Sequence, residues 1–250
     1  MSNERKGRVL VTGAGQRIGQ TIAIALANIG YDIAIHYNSS EKGALETKRQ
    51  VESLGGRAEL FQADLLEPNA PQSLAEQVLR SFGGLEVLIN NASAFPEPAN
   101  IVASSSLAEQ TLAEWEQLMT INARAPFFLI QALSSALKAS GQGSIINILD
   151  TSASEPFLSR AAHSVSKGAL ASVTTLAAKA LYGQVRVNAL EFGAILPPAG
   201  LAKTAQETLA WAGVGAATSA IIFLLQSNFI HGEIIKVDQG ATRFGGSLLG

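Results

Sequence analysis

Short apolar runs rich in β-branched residues alternate with longer helical patterns along the whole chain, and this alternation restricts the fold more than any other feature. The runs are RVLVTG, YDIAIHY, AELFQAD, LEVLINNA, GSIINILD, QVRVNALE and EIIKVD. Between them, helical patterns begin near Arg17, Glu41, Asn69, Thr111, Ala161 and Gly215, the third opened by Pro68 and Pro71, which suit a helix start. Repeated strand–helix–strand units need right-handed crossovers, and these lay helices on both faces of a sheet whose strands are apolar all round. The expectation is an α/β fold with a doubly wound, seven-stranded parallel sheet.

No Pro/Gly/Ser-rich linker, internal repeat or low-complexity tract divides the 250 residues, so one domain over 1–250 is expected. The formal charge is -2 with both signs mixed along the chain. That pattern offers no basic face to nucleic acid or an anionic membrane and points to small molecules or other subunits as partners. Cysteine is absent, which excludes disulfides, thiolate metal sites and a Cys nucleophile. The polar start MSNERKG and the lack of any apolar stretch of spanning length lead to the expectation of a soluble, cytoplasmic protein. Two long connections, Phe95 to Gln110 with Pro96 and Pro98, and Gly193 to Leu201 with Pro197 and Pro198, follow strand ends. Ligands of open α/β sheets bind there, so both are expected to wall a substrate pocket.

The first strand runs into Gly13-Ala14-Gly15-Gln16-Arg17-Ile18-Gly19 and then a helical stretch. Glycines permit a tight turn and close backbone approach, and a helix N-terminus offers N–H groups to a pyrophosphate. A dinucleotide is therefore expected over Gly13, Gly15, Ile18 and Gly19, in a Rossmann-type fold. The second strand ends His36-Tyr37-Asn38-Ser39-Ser40, without the carboxylate that commonly binds ribose hydroxyls in NAD-selective proteins. Arg17, with Asn38, Ser39 and Ser40 nearby, suits a 2′-phosphate, which favours NADP(H); the alternative for Arg17 is a solvated helix start.

The string TGAGQRIG resembles the T-G-x-x-x-[AG]-x-G motif of the short-chain dehydrogenase/reductase family. The resemblance continues through Asp64 in QADL, NNAS at 90 to 93, Asn122 in INARAP, SVSK ending in Lys167, and RVN at 186 to 188. It implies that Asp64, followed by Leu65, meets the adenine amine and that Asn90 and Ala92 line the cofactor, although Asp64 or Asn90 could instead cap a turn. It also implies that Lys167 holds the nicotinamide ribose and that Asn122 organises a proton-relay water, the alternatives being a surface Lys and a turn Asn. Homo-oligomers, dimeric or tetrameric, formed through the helices near Thr111 and Ala161, are implied as well.

The chemical site departs from the family pattern. Where the family places Tyr four residues before its Lys, this chain has His163, and where it usually places Ser, thirteen residues earlier, stands Asp150. Asp150, the Phe95 that follows NNAS, Arg17 in the loop and GAIL after the sixth strand together resemble pteridine reductases. That likeness implies a flat heterocycle held by Ser93, Phe95, Asp150, His163 and Phe192, with Asn122, Asp150, His163 and Lys167 catalytic. Imidazole titrates near neutrality but is shorter than a phenol; Lys167 would push its pKa down and Asp150 up. Phe192-Gly193 replaces the usual Pro-Gly, Glu191 is an unexpected acid at a strand end, and the segment from Gly200 to Phe229 is short for a substrate lid. Three readings remain open: an NADPH-dependent reductase of a pterin-like heterocycle or related C=N or C=O compound, a cofactor-binding protein without turnover, and a lyase or dehydratase using His163 as base. His36 and His231 lie apart in sequence from the pocket motifs, and no spacing suggests a metal. Trp115 and Trp211 fall in helical patterns and are expected to be packing anchors.

Overall fold

The computed structural model describes residues 5–95, 110–196 and 212–244. Its seven strands are β1 (Gly7–Val11), β2 (Tyr31–Tyr37), β3 (Ala58–Gln62), β4 (Val87–Asn90), β5 (Ser144–Asp150), β6 (Arg186–Phe192) and β7 (Ile234–Val237). They form one sheet of order β3-β2-β1-β4-β5-β6-β7 with every neighbouring pair parallel. The strand order reverses beside β1, between β2 and β4, and leaves a crevice at the carboxyl ends of these strands where ligands of such sheets bind.

Helices α1 (Arg17–Asn28), α2 (Glu41–Ser53), α3 (Ala70–Phe82), α4 (Leu112–Met119), α5 (Ala125–Ala139), α6 (Ala161–Ala180), α7 (Val214–Gln226) and the short α8 (Ala241–Phe244) fill the connections. Pro71 sits in the first turn of α3, where its missing N–H is not needed. The Thr111 hydroxyl caps α4 by accepting from the Glu114 N–H at 3.2 Å. A π-helical turn, Thr120–Arg124, joins α4 to α5, a local widening of the helix that the apolar periodicity does not signal.

Side chains alternate across each strand, so two cores form. Val9, Val11, Ile33 and Ile35 pack with Ile22, Leu26, Ile221 and Leu224 of α1 and α7. Leu10, Leu88 and Ile145 pack on the other face with Leu74, Val78, Leu129 and Leu133 of α3 and α5. Each fully buried aliphatic side chain of this size contributes about 1.5–3 kcal/mol relative to exposure. The two cores leave the strand ends free to carry polar groups. Among the described residues, no helix is long and apolar enough to cross a membrane.

Candidate active site

The Gly-rich loop owes its shape to close packing. A Cβ on Gly19 would lie 2.2 Å from the carbonyl oxygen of Gly13, and one on Gly15 would lie 2.2 Å from Oγ of Ser40, so neither position accepts a side chain without displacing the loop. Arg17 adopts φ 53, a conformation uncommon for a non-glycine residue, and it is exposed. Helix α1 has no side-chain cap and no acid in its first turn, which leaves its N-terminal N–H groups to a phosphate. The residues present thus fit a dinucleotide, with Gly13, Gly15, Ile18 and Gly19 beside the exposed Arg17, Asn38 and Ser39 and the half-buried Ser40.

Two buried side chains, Thr12 and His36, and the half-buried Asn91 hold this loop in place. The Thr12 hydroxyl accepts from the Asn91 and Ala92 N–H groups, both at 2.9 Å, and Asn91 Nδ2 donates to the Thr12 carbonyl at 2.8 Å. His36 Nδ1 accepts from the Gly13 N–H at 3.1 Å, while Nε2 lies 3.1 Å from the Ala63 carbonyl. Because a carbonyl can only accept, the Nε2–H tautomer is assigned. Burial pushes the imidazole of His36 down to about 4, against the opposing influence of the Ala63 carbonyl and the Asp64 charge. His36, distant in sequence from the pocket motifs, therefore links the Gly-rich loop to the end of β3.

Beyond β5 lies the acid–base cluster. His163 Nε2 is 2.8 Å from Asp150 Oδ2, and Lys167 Nζ is 3.8 Å from the same oxygen. Asp150 Oδ1 accepts from the Ser152 N–H at 3.1 Å and from its hydroxyl. Burial by itself would raise the Asp150 carboxyl, but the His163 hydrogen bond and the Lys167 charge outweigh it and hold the group well below the usual carboxylate range. Lys167, which also donates to the Ile148 carbonyl at 3.1 Å, is shifted down by burial, opposed by Asp150. The His163 and Lys167 side chains are 1% and 4% exposed, whereas Asp150 is 33% exposed, so the carboxylate is the face this trio offers to a ligand.

The π-helical turn places Asn122 behind the cluster. Its Oδ1 accepts from the Ala94 N–H at 2.8 Å and the Ser93 hydroxyl at 3.1 Å, and its Nδ2 donates to the Ala94 carbonyl at 3.1 Å and Ser166 Oγ at 2.9 Å. That nitrogen is also 3.5 Å from His163 Nδ1. Asn122 thus binds the segment after β4 to α6 and sets the position of Phe95, whose ring meets His163 edge-on with centroids 4.8 Å apart.

Asn122, Asp150, His163, Lys167, Ser93 and Phe95 therefore lie together. Phe192 is the register partner of Asp150 on β6, but its side chain is 3% exposed and packs in the core with Leu190 and Ile195. The Leu65 side chain is likewise in the core. Asp64 Oδ1 accepts from the Leu66 N–H at 3.0 Å, the turn-capping alternative, and Asn90 is 2% exposed with its amide donated to Asn147 Oδ1 at 2.8 Å. The neighbouring Asn91, not Asn90, is the amide that ties down the loop.

Glu191 is buried, bonded by the Ser154 hydroxyl at 2.5 Å and paired with Lys236 at 3.4 Å. His231 is structural, accepting from the Val187 N–H at 3.1 Å. Trp115 is 37% exposed on α4 and is not a buried anchor. Pro96, Pro98, Pro197, Pro198, Trp211 and most of both expected pocket walls lie outside the described residues. Sequence reasoning passed over Arg160, which is 7% exposed and whose guanidinium carbon lies 4.7 Å from the Phe95 ring centroid and 5.9 Å from that of Phe157. Among the described residues, no cluster of three or more His, Cys, Asp or Glu is arranged to hold a metal ion.

Comparison with known proteins identifies the family. Residues 7–208 match the family model described as short chain dehydrogenase. The chain is 33% identical over 193 residues to the oxidoreductase YohF of Escherichia coli (strain K12), covering 76% of this chain and 73% of that protein. It is 29% identical to 3beta-hydroxysteroid dehydrogenase 1 of Eggerthella lenta, over 100% of this chain and 99% of the relative. Among solved structures, acetoin dehydrogenase from Enterobacter cloacae superposes with a TM-score of 0.83 at 28% identity, over 94% of both chains. A dehydrogenase/reductase from Sinorhizobium meliloti 1021 gives 0.83 at 28% identity, covering 95% of this chain and 96% of that one. With the family model matched across most of its length and the fold shared, the chain belongs to the short-chain dehydrogenase/reductase family of nicotinamide-dependent oxidoreductases.

Proposed function

We propose that this protein is an NADP(H)-dependent reductase of a planar, N–H-bearing heterocycle of the pterin type. The observation that carries the reading is Asp150: an ionised, partly exposed carboxylate at the end of β5, backed by His163 and Lys167 and flanked by Phe95. A carboxylate in that state accepts hydrogen bonds from ring or exocyclic N–H groups, and the neighbouring aromatic ring offers a surface to a flat ligand. The preference for NADP(H) is supported by the exposed Arg17, Asn38 and Ser39 at the tip of β2 and the loop.

When bound, the reduced nicotinamide supplies the hydride. The chain supplies the proton and the orientation. His163 keeps its Nε2–H on Asp150 and fixes the carboxylate, so in this reading it positions Asp150 instead of meeting the substrate itself. Lys167, lowered by burial and 3.8 Å from Asp150 Oδ2, gives up the proton that the ionised carboxylate passes to the substrate and is left as the neutral amine, and Asn122 holds the backbone of Ala94 against the cluster. Homo-oligomerisation through α4, α5 and α6 is part of the proposal, supported by the exposed Leu112, Phe128, Val165 and Leu176 on those helices.

The experiment is NADPH oxidation by the purified protein with dihydropterins, dihydrobiopterin and simple carbonyl compounds, alongside Asp150→Ala, His163→Ala and His163→Tyr. Turnover of a dihydropterin that Asp150→Ala abolishes is the expected result. NADPH binding without turnover by the native protein, with activity appearing in His163→Tyr, would overturn the reading in favour of a cofactor-binding protein.

A further inference from the structure

Arg160 stands immediately before α6, three residues ahead of His163, and is buried. At 7% exposure, its Nε has no hydrogen-bond partner among the described residues. The guanidinium carbon lies 4.7 Å from the centroid of Phe95, and the same ring meets His163 at 4.8 Å. Phe95 thus touches both a cation and the histidine that holds Asp150. Burial lowers the Arg160 pKa and the Asp150 charge opposes that shift, so the two charges belong to one electrostatic environment.

A buried polar group without a partner is costly, and a charged one more so. Arginine presents planar N–H groups that match a carboxylate or carbonyl oxygen, and stacking on Phe95 fixes the plane of the fork. Stacking satisfies the ring face and the cation, but it leaves the N–H in the guanidinium plane unused. The ligand that removes the deficit must bring an acceptor.

We propose that Arg160 is a substrate-recognition residue, and that the pocket takes a flat substrate carrying a carboxylate at the end opposite the N–H groups that face Asp150. The location of the pocket rests on the reductase reading above; the demand for an acceptor rests on Arg160 itself. The site then has two poles, the Asp150 carboxylate for donors and the Arg160 guanidinium for an anion, with the Phe95 ring against the guanidinium. A neutral ligand of the same shape meets the first pole and leaves the second unpaired, which is the arrangement that discriminates most strongly between analogues.

The test measures affinity of the NADP-saturated protein by titration calorimetry for two pairs of probes, pterin against pterin-6-carboxylate and benzamide against benzoate. In the native protein the carboxylate is expected to bind at least about tenfold tighter within a pair, with the difference lost in Arg160→Leu and partly kept in Arg160→Lys. Arg160→Gln, which keeps a donor but no charge, gives the same loss if the Leu variant does not fold. NADP(H) affinity is expected to stay unchanged in every variant. No carboxylate preference in the native protein, or a preference that survives Arg160→Leu or Arg160→Gln, overturns the proposal. Benzoate favoured over benzamide while neither pterin binds supports the role of Arg160 and removes the pterin reading; both pterins bound equally leaves that reading and removes this one.

Discussion

The Nε2 atom of His163 lies 2.8 Å from Oδ2 of Asp150, and the histidine is buried while the aspartate is not. This relationship makes Asp150 the contact group and His163 its support. Asp150→Asn, similar in shape but uncharged, is expected to lower kcat with a dihydropterin by about 10²–10⁴-fold. NADPH affinity, read by fluorescence titration, should remain near that of the native protein. The carboxyl is held below its ordinary range, so its contribution to stability is complete above the unfolded value near 3.8 and is lost only as pH falls through the lowered folded value. Loss of activity between pH 7 and pH 5 is therefore not expected to arise from Asp150.

His36 supplies the acid sensitivity instead. Its folded pKa of about 4 lies below the unfolded 6.5, so the unfolded chain binds the extra proton and stability falls as pH drops from about 6.5 to about 4. The full shift corresponds to about 3 kcal/mol. Urea unfolding of the native protein and of His36→Gln at pH 8 and pH 5 checks this. The variant can still accept from Gly13 and donate to Ala63, so it should match the native protein at pH 8 and lose less stability at pH 5.

Thr12, 1% exposed, accepts two backbone N–H groups through one hydroxyl. Thr12→Val keeps the shape and removes the acceptor, with an expected loss of about 1–3 kcal/mol for each donor left unpaired. Thr12→Ser should retain most of the stability. Chemical denaturation of both variants separates the hydroxyl from the methyl group.

Two helical glycines should respond in opposite ways to alanine. At Gly19 the added Cβ would sit 2.2 Å from the Gly13 carbonyl oxygen and 2.5 Å from Asn91 Nδ2, whereas at Gly168 it would meet the Ala153 carbonyl oxygen at 4.0 Å and nothing nearer. Gly19→Ala is expected to destabilise by about 1–3 kcal/mol and to weaken dinucleotide binding. Gly168→Ala is expected to be stabilising by roughly 0.5–1 kcal/mol. Thermal unfolding with and without NADPH reads both effects.

Arg17 tests the cofactor preference. Arg17→Ala is expected to weaken NADPH by about tenfold or more while leaving NADH nearly unchanged, since a guanidinium gains its advantage from the 2′-phosphate. Equal loss for the two dinucleotides would instead reflect the unusual backbone at φ 53.

The strands and helices could be read from local order because residues a few positions apart decide whether a segment has a period of two or of 3.6. The runs YDIAIHY and GSIINILD differ by at most one residue from β2 and β5, and the patterns begun at Glu41 and Ala161 start α2 and α6. Asp150, His163 and Lys167 were singled out by the resemblance to family motifs, and the distances between them come from the structure. Which face a side chain takes was a different matter. The strands are apolar on both faces, so nothing local distinguishes a core position such as Phe192 from a pocket position. The same limit hid the division of work between Asn90, turned inward to Asn147, and Asn91, tied to Thr12. His36 meets Gly13 only because β2 lies beside β1, and Arg160 meets Phe95 only because the segment after β4 is carried to the start of α6. Periodicity along the chain determined the elements and the cofactor loop; contacts across the sheet, between residues far apart in sequence, decided which groups are buried, charged and able to face a substrate.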